Sequence, residues 1–282
     1  MFLIRATRMK PTPDPAFRFP DLAGKTLVIT GITRGIGRAL LPGLLGQGLN
    51  LIAVSRGRDK MAAVRAGLGA EESRLRLFEC DLADPAAVAA TGRAIADSGL
   101  PVDGILHNAA IDPRHHFEKA APAPWDAVWQ VNLRAAVALT QSVLPQLRRS
   151  AQGRIVFTGS IVSELGGAYM TAYAASKGAL TGLTHALAHE LQGTGITVNC
   201  ILPGAIQVEK EAGTTTGDAV LAGWQSVRRR LTAADLLGPL CLLLSGAGGG
   251  ISGQCLTVDG GLFHPLMSHE VQRGRLLSDG YA

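Results

Sequence analysis

The chain is short of aromatic and charged residues and carries few cysteines, and each shortage removes a class of function. Phe, Trp and Tyr make up 5% of its 282 residues, too few for the stacking platforms on which single-stranded nucleic acids lie. The net charge is +5, but the basic residues are scattered. The densest run is Arg228-Arg229-Arg230, which a solvated helix start or loop explains better than an anion site. No nucleic-acid partner is expected. The four cysteines, Cys80, Cys200, Cys241 and Cys255, form no C-x-x-C pair and no Cys/His cluster with zinc spacing. Neither a metal site nor a disulfide framework is therefore expected. Cys80, Cys200 and Cys255 sit in or beside apolar runs, as small buried thiols of a reducing compartment do. No apolar run is long and uninterrupted enough to read as a membrane span, and the opening Met-Phe-Leu-Ile is too short for a signal-peptide core. The expectation is a cytoplasmic protein with no membrane partner, with Met9 as an alternative start.

What the chain has instead is glycine, 35 residues of it, and a regular supply of short aliphatic runs. Residues 1–22 contain Pro11, Pro13, Pro15 and Pro20 and read as an irregular N-terminal arm. From there to residue 262 the pattern alternates. Apolar runs at 26–30, 49–55, 75–78, 104–107, 155–158, 196–201 and 255–258 predict strands. Helical patterns at 36–47, 58–68, 85–98, 124–148, 172–192 and 232–245 lie between them. Strands that are apolar throughout, alternating with helices, predict an α/β fold: a doubly wound parallel sheet of about seven strands, covered on both faces. Asp84-Pro85 marks one helix start, with an acceptor at the N-cap and proline at the first helical position. No repeat and no linker divides residues 23–262, so a single domain is expected. Residues 204–230 break the alternation just beyond a strand's carboxyl end, where a substrate-covering loop belongs. Residues 263–282 form a polar C-terminal tail.

Three groups of residues carry chemistry. Tyr173 and Lys177 stand four apart in an Ala-rich segment, so a helix sends both side chains from one face. An ammonium there favours ionised over neutral phenol, and each unit by which a tyrosine falls from its usual ~10 takes about 1.4 kcal/mol. The segment Thr30-Gly31-Ile32-Thr33-Arg34-Gly35-Ile36-Gly37 follows the first strand and opens the first helix. Its glycines allow a tight turn and close approach, and the helix N-terminus offers free N–H groups to a pyrophosphate. At the end of the second strand stand Ser55 and Arg56, with no acid to take a ribose hydroxyl. Arg34 and Arg56 together suit a ribose 2′-phosphate, which favours NADP(H) over NAD(H). Asp81 and Leu82 follow the third strand, where a carboxylate can accept from an adenine amino group or simply form a turn. Asn108 and Ala109 follow the fourth, permitting close approach to a ligand or bracing the sheet.

Taken in order, these residues resemble the short-chain dehydrogenase/reductase family from about residue 24 to 261. Thr30–Gly37 is similar to its T-G-x-x-x-G-x-G cofactor loop and Asp81-Leu82 to its adenine motif. His107–Ala110 is similar to N-N-A-G, with His and Ala at its ends. Asn132 matches the helix Asn. Ser160 with Tyr173-x-x-x-Lys177 matches the catalytic set at its thirteen-residue gap. Pro203-Gly204 matches the turn beside the nicotinamide, followed here by Ile206, and Ser252–Gly261 resembles the closing strand.

The resemblance implies a Rossmann-type fold and a hydride-transferring enzyme that interconverts a secondary alcohol and a ketone. In it Tyr173 moves the proton and Ser160 hydrogen-bonds the substrate oxygen. Lys177 holds the nicotinamide ribose and lowers the Tyr173 pKa, and Asn132 holds a water leading to Lys177. It further implies a homodimer or homotetramer, with the Ala-rich faces of 124–148 and 172–192 as contact candidates. One departure stands out: Val208 occupies a position where the family often has Thr against the carboxamide. A serine hydrolase reading, from Ala174-Ala175-Ser176-Lys177-Gly178, needs a strand–turn–helix context that the helical pattern denies. A non-catalytic NADP-binding or scaffold protein on the same fold is the remaining alternative.

Overall fold

The computed structural model describes residues 17–208 and 225–262. Its centre is a seven-stranded parallel sheet in the order β3-β2-β1-β4-β5-β6-β9. The strands are β1 (Thr26–Thr30), β2 (Asn50–Ser55), β3 (Leu75–Glu79), β4 (Gly104–His107), β5 (Arg154–Thr158), β6 (Thr197–Pro203) and β9 (Cys255–Val258). The two remaining strands, β7 (Ile206–Gln207) and β8 (Leu231–Thr232), pair with each other and were not legible as alternating runs.

Helices α1 (Gly35–Gly46), α2 (Arg58–Ala66), α3 (Pro85–Asp97), α4 (Pro122–Trp129), α5 (Ala135–Arg149), α6 (Val162–Leu165), α7 (Thr171–Glu190) and α8 (Ala233–Leu244) complete the described chain. None is long and apolar enough to cross a membrane. Strands buried on both faces explain the unbroken apolar runs. Leu27 and Ile29 of β1 enter one core cluster with Leu41 of α1 and Leu240 of α8. Val28, between them, enters the other with Ile95 of α3, Leu139 of α5 and Leu180 of α7. Period-two side-chain alternation thus feeds two cores from one strand.

Several helix ends follow the expected chemistry. Asp84 Oδ1 accepts from the Ala86 and Ala87 amides at 2.8 and 3.2 Å. Thr232 and Asp235 form a reciprocal capping box at the start of α8. The pattern expected as one helix over 124–148 is instead two helices joined by a π-helical turn, Gln130–Arg134. Such turns insert a residue into the helix and re-aim side chains, often at functional positions. The arm read as irregular is docked at its end. Leu22 is buried, and Gln47 bonds the Phe17 carbonyl at 3.2 Å and the Phe19 amide at 3.0 Å. Residues 1–16, the tail 263–282 and most of the 204–230 loop, with Trp224, lie outside the described residues.

Candidate active site

The strand order reverses between β1 and β4, and the carboxyl ends there open onto a cavity of about 280 Å³. A doubly wound sheet leaves its ligand crevice at this point because the flanking connections diverge to opposite faces. The cavity is lined by Gly31, Thr33, Arg34, Gly35, Ile36, Ser55, Arg56, Asp81, Leu82, Asn108, Ala109, Ser160, Tyr173, Lys177, Pro203 and Gly204.

Three residues expected at the site do not line it: Gly37, Asn132 and Ile206. Gly37 is needed for packing inside the loop. A Cβ there would lie 2.2 Å from the Gly31 oxygen and 2.5 Å from Asn108 Nδ2. Ile206 is taken up by the β7–β8 pair and packs on the core.

The loop and the β4 end are built as one unit. Thr30 Oγ1 accepts from the amides of Asn108 and Ala109, both at 3.0 Å. Asn108 Nδ2 in turn donates to the Thr30 and Gly31 carbonyls, both at 3.1 Å. The bracing role of Asn108 is therefore realised at the wall of the cavity. Gly35, at φ 60°, has open space where a Cβ would stand, so the backbone is bare at the mouth of α1. No side chain caps that helix, and its first-turn amides stay available to an anion. Arg56 stands 4.0 Å from Asp81, both well exposed, a pairing weak enough to yield to a ligand phosphate. Asp81 Oδ1 also accepts from the Ala83 amide at 3.0 Å, forming the turn.

Ser160 follows β5, and Tyr173 and Lys177 leave α7 one turn apart. Lys177 is buried, donates from Nζ to the Thr158 carbonyl at 2.6 Å, and lies 5.5 Å from the Tyr173 ring centre. Burial pulls its pKa down to about 8. For Tyr173 the expected lowering by Lys177 is corrected. Burial raises its pKa above the ordinary phenol value, a hydrogen bond with Ser160 pulls it down, and the Asp112 charge pushes it up. Desolvation of the anion is the largest influence because this phenol is largely enclosed at the cavity wall.

The Asn132 side chain is fully engaged within the protein. Its Oδ1 accepts from the Ile111 amide at 2.9 Å, and its Nδ2 donates to the Ile111 carbonyl and to Ser176 Oγ, both at 3.0 Å. Ser176 Oγ donates onward to the Tyr173 carbonyl at 2.7 Å. Asn132 thus pins the β4–α4 connection to α7. Ser176 is fully buried within a helix, which removes the hydrolase reading.

Sequence reasoning missed Val54, Cys80, Ala110, Ile111, Val131, Thr158 and Gly159, which also line the cavity. Most flank a residue that was identified. Thr158 acts through its main-chain carbonyl, which leaves no mark on residue type. All four cysteines are free thiols, and Cys255 is partly exposed where burial was expected.

The short chain dehydrogenase family profile matches residues 25–218. A probable galactose dehydrogenase of Rhizobium meliloti is 33% identical over 254 residues, covering 88% of this chain and 99% of that protein. A 3-oxoacyl-[acyl-carrier-protein] reductase of Escherichia coli is 29% identical, covering 86% and 99%. A short chain dehydrogenase of Burkholderia cenocepacia, solved in complex with NADP, superposes with a TM-score of 0.79 at 30% identity, over 86% of this chain and all of that one. By fold, site geometry and sequence, the chain belongs to the short-chain dehydrogenase family.

Proposed function

We propose that the protein is an NADP(H)-preferring oxidoreductase, with NAD(H) as the weaker cofactor, that interconverts a secondary alcohol and a ketone. The observation that carries this reading is the cluster at the cavity wall: Ser160 and Tyr173 both line the cavity, and Lys177 is buried one helical turn from Tyr173. The cavity suits a dinucleotide. Bare backbone at Gly35 and uncapped first-turn amides of α1 meet a pyrophosphate. Arg34 and Arg56 line the cavity beside the end of β2, where they would hold a 2′-phosphate, and no acid stands at that strand end. When bound, the nicotinamide supplies or accepts the hydride.

The chain's own residues handle the proton and the oxygen. In the reductive direction Tyr173 donates its phenolic proton to the carbonyl oxygen, and desolvation keeps that proton on the phenol oxygen until it is transferred. In the oxidative direction Tyr173 takes the proton back. Ser160 hydrogen-bonds the same oxygen as charge develops on it. Lys177, held by the Thr158 carbonyl, lines the same cavity and would bind the nicotinamide ribose. Asn132 positions the wall that carries Ile111. The protein acts in the cytoplasm as a homodimer or homotetramer, joined through the Ala-rich faces of α5 and α7, and light scattering reads that state. Incubating purified protein with NADPH and a panel of ketones, or NADP and alcohols, tests the chemistry. Loss or gain of the reduced-nicotinamide absorbance band is expected, and its absence with every compound and both cofactors would overturn the reading.

A further inference from the structure

Two thiols stand side by side at the edge of the main sheet. β9 ends the strand order, and it pairs in parallel with β6 so that Cys255 lies opposite Cys200. Opposed residues of paired strands point to one face, and both cysteines enter the core cluster on the α7 side of the sheet. Neighbouring strands run about 4.7–4.9 Å apart, inside the window of about 4.4–6.8 Å between Cα atoms that a disulfide spans. The two differ in surroundings. Cys200 is fully buried, whereas Cys255 is partly exposed, its sulfur 4.0 Å from Nε2 of the exposed His185 on α7. The Cys200 thiol, as hydrogen-bond partner, lowers the Cys255 pKa; burial opposes this, and Thr181 and His185 add to the lowering. The balance favours thiolate, the reactive form, at Cys255.

The buried member of the pair reaches the active site. The Gly159 amide donates to the carbonyl of Ile201, next to Cys200, at 2.8 Å. A Cβ on Gly159 would lie 2.8 Å from the Cys200 sulfur, so that sulfur sits directly against the glycine. Gly159 lines the cavity between Ser160 and Thr158, whose carbonyl holds Lys177. We propose that Cys255 and Cys200 form a reversible redox switch: a peroxide oxidises Cys255, and Cys200 closes a disulfide that shifts the Gly159–Ser160 turn and lowers turnover. The Cys255 thiolate attacks one oxygen of hydrogen peroxide, the O–O bond breaks, and hydroxide leaves behind a sulfenic acid. The Cys200 sulfur then attacks the Cys255 sulfur and expels a second hydroxide, which takes the Cys200 proton. Counting the proton that Cys255 released, two thiols and one peroxide give a disulfide and two waters, and the peroxide accepts both electrons. Bonding to Cys255 turns the Cys200 sulfur from Gly159 towards β9, so the contact beneath the turn is lost. A small thiol reduces the bond by exchange, and in a reducing compartment such bonds are transient and sensory. Formation of the bond is independent of the oxidoreductase reading; its effect on turnover rests on that reading.

The test treats purified full-length protein with stoichiometric hydrogen peroxide, then counts free thiols after denaturation and maps the digest by mass. Wild type should fall from four free thiols to two, with residues 200 and 255 joined, and dithiothreitol should restore all four. A non-reducing gel separates a bond within one chain from one between chains. Cys255→Ser should keep its remaining three thiols under the same treatment and match untreated wild type in basal activity. Cys200→Ala should stop at a sulfenic acid on Cys255 that dimedone captures. On a carbonyl compound that the protein reduces, oxidised wild type should lose about 10-fold or more in kcat, because small displacements of reacting groups are costly. Dithiothreitol should reverse that loss, and Cys255→Ser should escape it. A bond between two chains, or a Cys255 that keeps its thiol, would overturn the inference. A 200–255 bond that leaves turnover unchanged would overturn the switch while the oxidoreductase reading stands. If no compound is turned over before or after treatment and the bond still forms, the oxidoreductase reading fails and the redox pair stands.

Discussion

Lys177 donates to the Thr158 carbonyl at 2.6 Å while its nitrogen stands 5.5 Å from the centre of the Tyr173 ring. The ammonium is thus tied to the end of β5 and faces the phenol without touching its oxygen. In this arrangement it does not overcome the cost of ionising a partly buried tyrosine. The protein keeps a protonated phenol at the cavity and a buried lysine whose charge is itself strained by desolvation.

That strain has a pH signature. The folded pKa of Lys177, about 8, lies below its ordinary value of 10.5. Burying the charged form therefore costs stability below about pH 8, and the cost disappears as pH rises through 10.5. Relative to a Lys177→Met variant, wild type should gain stability across that window, by on the order of 3 kcal/mol. Urea denaturation of both proteins from neutral to alkaline pH checks this. A pH-independent difference would show that the lysine titrates alike in the folded and unfolded chain, with no cost of burial.

His107 predicts the opposite limb. It stands where the family pattern has Asn. It bonds Thr140 Oγ1 at 2.8 Å and stacks on Phe157 with centroids 5.2 Å apart. Burial lowers its pKa from 6.5 to about 3. The unfolded chain then takes up a proton that the folded chain refuses, so stability falls as pH drops from 6.5 towards 3. His107→Asn should flatten that fall, measured as denaturation midpoint against pH. An equally steep fall in the variant would assign the acid sensitivity elsewhere.

Arg56 carries the cofactor preference. Replacing it by Asp removes a phosphate partner and sets a second acid beside Asp81, 4.0 Å from the present guanidinium. Arg56→Asp should weaken NADP relative to NAD by about 10-fold or more, read by titrating both cofactors against intrinsic fluorescence. An unchanged ratio would leave the 2′-phosphate to Arg34 or to none of these residues.

Much of this was legible in the sequence because it depends on residue type at a fixed period. The seven strands appear as apolar runs since both faces are buried, and Tyr173 and Lys177 share a face because helices repeat every 3.6 residues. The remainder depends on where chains meet. The π turn at Gln130–Arg134 leaves no local pattern, yet it turns Asn132 towards Ile111 and Ser176. Gly37 reads as a ligand contact from spacing alone, but its smallness serves Asn108 and the Gly31 carbonyl.

The most direct measurement is steady-state turnover by Tyr173→Phe beside wild type, on any carbonyl compound the protein reduces, with NADPH binding titrated in parallel. The account predicts a fall in kcat of about 100-fold or more, with cofactor affinity changed by less than about 3-fold, since the ring stays and only the proton-bearing oxygen is lost. Near-full activity in the variant would contradict it and remove Tyr173 from the proton transfer.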